Sequence, residues 1–565
     1  MKPLLAIAPL ALSGAVLAMV QVGCFADIPP YCAPGTPECT ASDAGAGEQA
    51  DQAVADAAPE ASEDGGSAEA SGDVAAAADT GTADTTSCDP SKTPSEDPCA
   101  VDEAFAIFVS SMGSDTNPGT RTMPVATIGR ALSAAKAASK RVYVCAGTYA
   151  EKVTVGSALD GVSLYGGLDC SSWAYSAGNT VTVAPPSVGF ALELDGLTAG
   201  VTIEDATFVA QNANPAHAGE SSIAAFANSA QNVVLRRVGL VAGTGTDGAA
   251  GASAGASADG GTSNWFGTAP SYPELNGHDA MDAGPGASAA CRCADGTSST
   301  GGQGGGGGAS QMPAPGLPNY GDDAGLGLAG SNGAACRGTG AGANGADAPT
   351  ASADAPSALR GSISSTGWTA ATGTVGSNGK PGQGGGGGGD GVAGIGGGGG
   401  GACGGCGGDG GKAGMGGGSS IALLSFNSNV SLSDCTLTAH AAGRGGAGSN
   451  GEPGQAGGSP GAPSGMGVGI GCSAGAGGAG GGGNGAQGGP GGISAGILFS
   501  GNAPIFNGAT AAATAASLPG VTVSSATAAG GGKGVAGAAA STSFGKPGAD
   551  GPASVTGLSQ PVVGL

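Results

Sequence analysis

Aromatic residues make up 4% of this chain and charged residues 11%, with three histidines and three tryptophans in 565 residues. So little charge excludes a long solvent-exposed helix or coiled coil. Bases are scarcer than acids, 18 against 42, and a net charge of −24 repels phosphate, which excludes nucleic acid as a partner. Beyond Val22 no stretch has the roughly 20 consecutive apolar residues of a membrane span. His217, His278 and His440 lie far apart, none beside a partner at metal-ligand spacing, so no metal and no cofactor is expected. What abounds is glycine, 121 residues. Glycine has no side chain to bury and loses the most backbone entropy on ordering, so the length does not translate into several ordinary cores.

The front of the chain carries an address. Lys2 precedes an apolar run from Leu4 to Val22, followed by Gly23 and Cys24. A short positive start, an apolar stretch and small residues before a break read as an export signal. The break resembles a bacterial lipoprotein signal, which implies lipidation of Cys24, although Gln21 stands where that family prefers Leu. The expected location is therefore the cell envelope, at the outer membrane or cell surface, with the membrane engaged through the lipid.

From Asp27 to Asp102 the chain is mostly Ala, Asp, Glu, Gly, Ser, Thr and Pro, with Lys92 the only base against 17 acids. Such a segment buries too little to offset its ordering entropy, and like charges extend it. It is expected as a disordered acidic tether. Cys32 to Cys39 and Cys88 to Cys99 are short loops that an oxidising compartment would close as disulfides.

The folded body opens at Ala104 with AFAIFVSSMGSDTNPGTRTMPVATIGRALSAAKAASKRVYVCAGTYAEKVTV. Ala104 to Val109 reads as a strand and Gly113 to Gly119 as a turn; Thr127 can cap a helix whose Ile128, Ala131, Leu132 and Ala135 share one face. The order "GSDxNPGT, P-x-A-T-I, helix, V-Y-V, A-G-T-Y, E-x-V-x-V" resembles the N-terminal end of pectin-lyase-like right-handed parallel β-helices. The resemblance covers about Ala104 to Gly167 and implies an all-β fold whose short helix caps the open end of the coils. Downstream, VSLYGG, VTVAP, ALEL, VTIEDATF, VVLRRVGL, VSLSDCTL and VTVSS are short β-rich units of the kind that stack as coils. Cys145 and Cys170 lie near successive strands and could pair.

A repeat explains the glycine. Ser221 to Leu240 matches Ser419 to Leu437, and a weaker copy starts at Gly492. After each copy the chain leaves on a Gly-rich excursion. Parts of these have period three: Gly373, Gly376, Gly379 and Gly382, and again Gly445 to Gly457. Period three is that of a polyproline-II-type helix, and glycine on one face lets such helices touch backbone to backbone. The runs are too short and too poor in Pro for collagen. Bundled polyglycine-II-like helices are expected where spacing is strict, and disorder across Gly251 to Ala370, where it is ragged. The chain thus divides into a signal (1–24), a tether (25–102), an N-terminal β-helix part (103–242), a Gly-rich insertion (243–418), a β-helix repeat (419–442), a second insertion (443–491) and a C-terminal β-helix part with a short insertion (492–565).

Possible chemistry is thin. Pectin-lyase-like enzymes use clustered Asp with Arg or Lys on one face of the coils. The best acids here, as glycan-facing residues, are Glu204, Asp205 and Asp434, with Arg236 and Arg237 nearby. Glu204 and Asp205 are adjacent, so within one strand they would face opposite ways. No catalytic residue is assigned. Gly385 to Ala393, with Asp390, fits one calcium nonapeptide, but true calcium β-rolls need tandem copies. Cys291, Cys293, Cys403 and Cys406 could ligate zinc, although export favours disulfides. The leading expectation is a non-catalytic surface lipoprotein, a β-helix scaffold displaying Gly-rich loops in an envelope-structural or adhesive role, with a surface glycan or another envelope protein as partner. The alternative is a carbohydrate-binding or degenerate polysaccharide-active β-helix; an enzyme of this kind would be a polysaccharide lyase or hydrolase.

Overall fold

The computed structural model describes residues 88–89, 91–252, 284–320, 325–391, 396–463, 470–512, 517–524, 528–532 and 546–565. Cys24, Cys32, Cys39, Trp265 and His278 lie outside them, as do the expected signal and most of the tether. All described residues belong to one compact unit, Thr85–Leu565. Among them no helix is long and apolar enough to cross a membrane.

The body is a parallel β-helix. Its first coil runs through Arg141–Cys145, Gly147–Tyr149 and Val153–Gly156, and the second through Leu164–Leu168, Val181–Val183 and Leu192–Asp195. The third uses Val201–Glu204, Ala206–Val209 and Ser222–Asn228; the fourth uses Val233–Arg236, Gly239–Val241 and Ser420–Phe426. The fifth uses Val430–Ser433, Thr436–Ala439 and Ile493–Ser500; the last uses Ile505–Phe506, Val521–Val523 and Leu558–Gly564. Strands in corresponding places pair in parallel and make three sheets along the stack. Alternate residues face inward, so Val142, Leu164, Ile203, Leu235 and Leu432 of successive coils form part of one continuous core.

The motif residues build the cap. Thr127 Oγ1 accepts the Arg130 N–H at the start of the helix Ile128–Ala138, and Ile128, Ala131, Leu132 and Ala135 are its buried face. Asp115 of the GSDTNPGT turn accepts the N–H groups of Ala126 and Thr127 and the Thr127 hydroxyl. Glu151 accepts the next two helix N–H groups, from Ile128 and Gly129, which places negative charge at the positive end of the helix.

In the third, fourth and fifth coils the chain turns between the first and second strands through a left-handed non-glycine residue, Asp205, Arg237 and Asp434 in turn, and Asn507 follows the first strand of the last coil in the same conformation. VTIEDATF is accordingly two strands and a corner, not one strand.

All three Gly-rich excursions depart from one other corner, between the second and third strands of the fourth, fifth and last coils. Their described parts meet in a bundle of extended segments. Gly373, Gly376, Gly379, Gly382, Gly385 and Gly388 donate their N–H groups to Gly414, Gly411, Gly408, Gly405, Ala402 and Gly399. Segment 399–417 donates in turn to 472–490: Gly405 to Gly478, Gly408 to Gly481, Gly411 to Asn484 and Gly414 to Gln487. Segment 472–490 closes the triangle by donating to 374–389, for example Gly478 to Gln383 and Gly481 to Lys380. A donor at every third residue is the signature of three-residue helices packed side by side. Segment 446–461 joins on the far side, accepting from Gly477, Gly480, Gly483 and Ala486.

Two expectations need correction. Residues 91–102, placed at the end of the tether, pack on the first sheet, because Pro94, Ala100 and Val101 supply buried apolar surface and Asp97 caps the 3-10 turn Pro98–Ala100. The ragged stretch is ordered through 284–320 and 325–370, because hairpins and disulfides replace strict glycine spacing: Ala290–Arg292 pairs with Ser298–Thr300, and Gly361–Ser364 with Gly367–Ala370.

Candidate functional site

One outward column of the first sheet reads Phe108, Tyr143, Tyr165, Glu204, Arg236 and Ser433. The aromatic end packs with Val101, Leu168 and Trp173, and Trp173 Nε1 donates to the Arg121 carbonyl. The charged end begins at Glu204, which is 1% exposed. Glu204 and Asp205 do not face opposite ways. The left-handed corner at Asp205 swings its carboxylate round, so that both acids converge on Arg237. Arg237 Nη2 lies 2.8 Å from Glu204 Oε2, Arg237 Nε 2.7 Å from Asp205 Oδ1, and Arg236 Nη1 3.0 Å from Glu204 Oε1. Hydrogen bonding to Asp205 raises the Arg237 pKa further, against the pull of partial burial. Tyr175 Oη donates to Asp205, and burial, then that carboxylate, push the Tyr175 phenol up.

The strap 91–101 lies over this face. Arg237 Nη2 donates to Ser95 Oγ at 3.0 Å, Tyr143 Oη to the Ala100 carbonyl at 2.7 Å, and Arg141 Nη1 to the Lys92 carbonyl. Cys88 and Cys99 are bonded to each other in the strap. Asp434 stands apart: it is exposed, occupies the corner one coil beyond Arg237, and forms no ion pair among the described residues. The three acids are therefore not one cluster.

Sequence reasoning missed a second site. The hairpin Gly361–Ser364/Gly367–Ala370 folds against the outer face of the third sheet, where Ile363 and Trp368 pack with Ile223 and Phe226. Beside it opens a cleft of about 430 Å³ lined by Phe190, Trp368, Ile223 and Met415 with Glu220 and Thr366. Trp368 Nε1 is buried and has no hydrogen-bond partner. Glu220 accepts the Asn214 N–H and faces His217 Nδ1 at 3.2 Å. Ile223 and Phe226 stand three residues apart and so break the alternation that would mark an outward face, and nothing in the sequence said that residues 361–370 would return to it.

The remaining candidates resolve plainly. Cys145 is bonded to Cys170. Cys291 is bonded to Cys403, Cys293 to Cys406 and Cys336 to Cys472, which uses the thiols a zinc site would need. Cys435 is free and buried, and burial pushes its thiol pKa up. Asp390 Oδ1 accepts the Gly333 N–H, and no group of three or more His, Cys, Asp or Glu placed to hold a metal occurs among the described residues. His440 Nδ1 lies against the Ala242 carbonyl.

Comparison with curated proteins and with solved structures finds no match. A family model described as a protein of unknown function (DUF1565) matches residues 111–215, which span the cap helix, the first two coils and the start of the third, and this likeness agrees with the parallel β-helix fold.

Proposed function

We propose that the protein is a non-catalytic, lipid-anchored scaffold of the bacterial envelope, with a structural or adhesive role. One observation carries the reading: of the three acids that a polysaccharide-active β-helix would present, Glu204 and Asp205 are held by Arg236 and Arg237 beneath the strap, and Asp434 stands apart from them. A carboxylate paired twice and shielded from water is a poor general base. The coil stack then serves as a rigid base for the polyglycine bundle. The N-terminal sequence supports the address, since an export signal ending at Cys24 precedes an acidic stretch suited to spacing a body from a membrane.

The test pairs two measurements on the full chain. Metabolic labelling with a fatty acid should mark the envelope fraction, and Cys24→Ser should abolish the label. Incubation with acidic and neutral polysaccharides should release no new chain ends; turnover lost in Glu204→Gln would overturn the reading.

The cleft favours carbohydrate binding as a second reading. Phe190 and Trp368 give apolar faces for a sugar ring, and Glu220 and Thr366 supply polar rims. Saturable glycan binding that disappears in Trp368→Ala would establish it.

A further inference from the structure

Segment 472–490 is the axis of the bundle, and its N–H groups point in three directions that repeat every third residue. One direction serves 374–389 and another serves 446–461. The third comprises Ala476, Ala479, Gly482 and Gly485. Gly482 and Gly485 donate to the main-chain carbonyls of Lys546 and Ala549, so residues 546–549 lie as a neighbouring strand parallel to the axis. Further back in the same row, Ala476 and Ala479 donate instead to side chains, Asn344 Oδ1 and Asp347 Oδ1, at 2.9 and 2.8 Å. Beyond those two groups lies a groove of about 430 Å³. Its floor is Ala476 to Ala479, and its walls are Asn344 and Asp347 on one side and Ala456 and Gly457 on the other.

We propose that this groove docks an extended polypeptide strand of a partner chain, in polyproline-II conformation, with glycine at every third position and a lysine in the triplet. Continuity fixes the conformation, because the groove prolongs the row that 546–549 fill. The floor fixes the glycine. Ala476 and Gly477 are the only residues of the floor that are not fully buried, and they present backbone and one methyl group, so the approaching face must be bare. Charge fixes the lysine: among the described residues Asp347 is the only acidic or basic side chain lining the groove, and the strand that fills the row further on includes Lys546-Pro547-Gly548. The side-chain oxygens of Asn344 and Asp347 hold the two N–H groups until main-chain carbonyls of the strand replace them. This goes beyond the scaffold reading and does not depend on the lipid anchor or on the first-sheet acids.

The probe is a synthetic peptide repeating the 546–551 sequence, Lys-Pro-Gly-Ala-Asp-Gly, titrated into the full chain by calorimetry. Saturable binding is expected. It should weaken roughly tenfold or more in Ala476→Leu, a difference of about one decade in Kd, and vanish for a peptide with Val in place of Gly. Asp347→Asn keeps the side-chain oxygen and serves as the second variant should Ala476→Leu fail to fold; it should weaken the lysine peptide and leave a glutamine version unchanged. A groove already filled within the chain or by a second copy leaves the peptide no site, and absence of binding overturns the proposal. So does binding that both variants leave intact.

Discussion

Thr198 gives Asp160 both its N–H and its hydroxyl, and Ala199 and Gly200 add two more N–H groups, so one carboxylate ties the second coil's exit to the first. Burial works against ionisation, yet these four bonds together hold the Asp160 carboxyl well below the usual range. Asp169 is held low in the same way by Ser171 and Ser172. A depressed folded pKa contributes stability that is present above the unfolded value of about 4 and is lost as pH falls through the folded value. Denaturant melts from neutral pH into acid should therefore show stability falling below about pH 4, and Asp160→Asn should flatten that slope while lowering the neutral plateau. The charged corner gives a second expectation. Arg237→Met leaves buried Glu204 with Arg236 alone and should cost about 1–3 kcal/mol, read by thermal or urea denaturation. Arg236→Met should cost less, since Arg236 is the more exposed partner and makes one bond to Arg237's four. At this scale the sequence was partly legible. The Thr127 cap could be read from its motif, whereas the bonds that Asp115 and Glu151 make to the helix start could not. The convergence of Glu204 and Asp205 could not, because it depends on a left-handed backbone at a non-glycine residue.

Among the elements, the bundle makes the sharpest distinction between neighbours. A Cβ at Gly480 would run into the Cys406 carbonyl, whereas one at Gly481 would meet the Ala348 methyl and the Pro349 carbonyl at an ordinary 3.5 Å. Gly480→Ala is expected to destabilise by about 1–3 kcal/mol through overpacking, and Gly481→Ala to be near neutral. Differential scanning calorimetry of the two variants would decide; equal effects would contradict a lattice with a three-residue repeat. The strict triplets around Gly373 and Gly445 announced these segments in advance. The stretch 284–370 did not, because its order comes from distant partners. Gln383 Oε1 accepts the Ala346 N–H, and Asn484 Nδ2 reaches Ser352 and Asp354, so side-chain amides stand in where a backbone neighbour is missing. Such pairings join residues far apart in the chain and leave no local period to detect.

For the whole molecule, two kinds of cohesion coexist. The coils are held by an apolar core and parallel ladders, and one disulfide, Cys145–Cys170, joins the first two. The bundle has almost no apolar core and relies on backbone hydrogen bonds plus three disulfides, of which Cys336–Cys472 links the first excursion to the second. A cross-link over so long a loop removes much unfolded-state entropy. Reduction should accordingly open the bundle before the coils. Limited proteolysis with and without a thiol reductant, read by mass spectrometry, should show new cuts in 284–350 under reduction and protection retained in 141–241; simultaneous loss of both would contradict the division. The coil stack was legible in the sequence because the motif resemblance and the β-rich units agree. The bundle's connectivity was not, since periodicity says that a segment has neighbours but not which ones.

The triangle of 373–388, 399–417 and 472–490 sets an order of events during synthesis. Coils can add one at a time as the chain emerges, each templated by the strand edge before it. The first excursion cannot follow that schedule, because its segments pair with each other and with 302–346, but Gly405, Gly408, Gly411 and Gly414 donate to 478–487 and wait for that segment. A nascent chain stopped anywhere between 418 and 472 would carry a growing coil stack beside an incomplete bundle with unpaired backbone groups. The axis is thus complete only after the first two strands of the fifth coil have been made, and just before that coil's third strand, Ile493–Ser500.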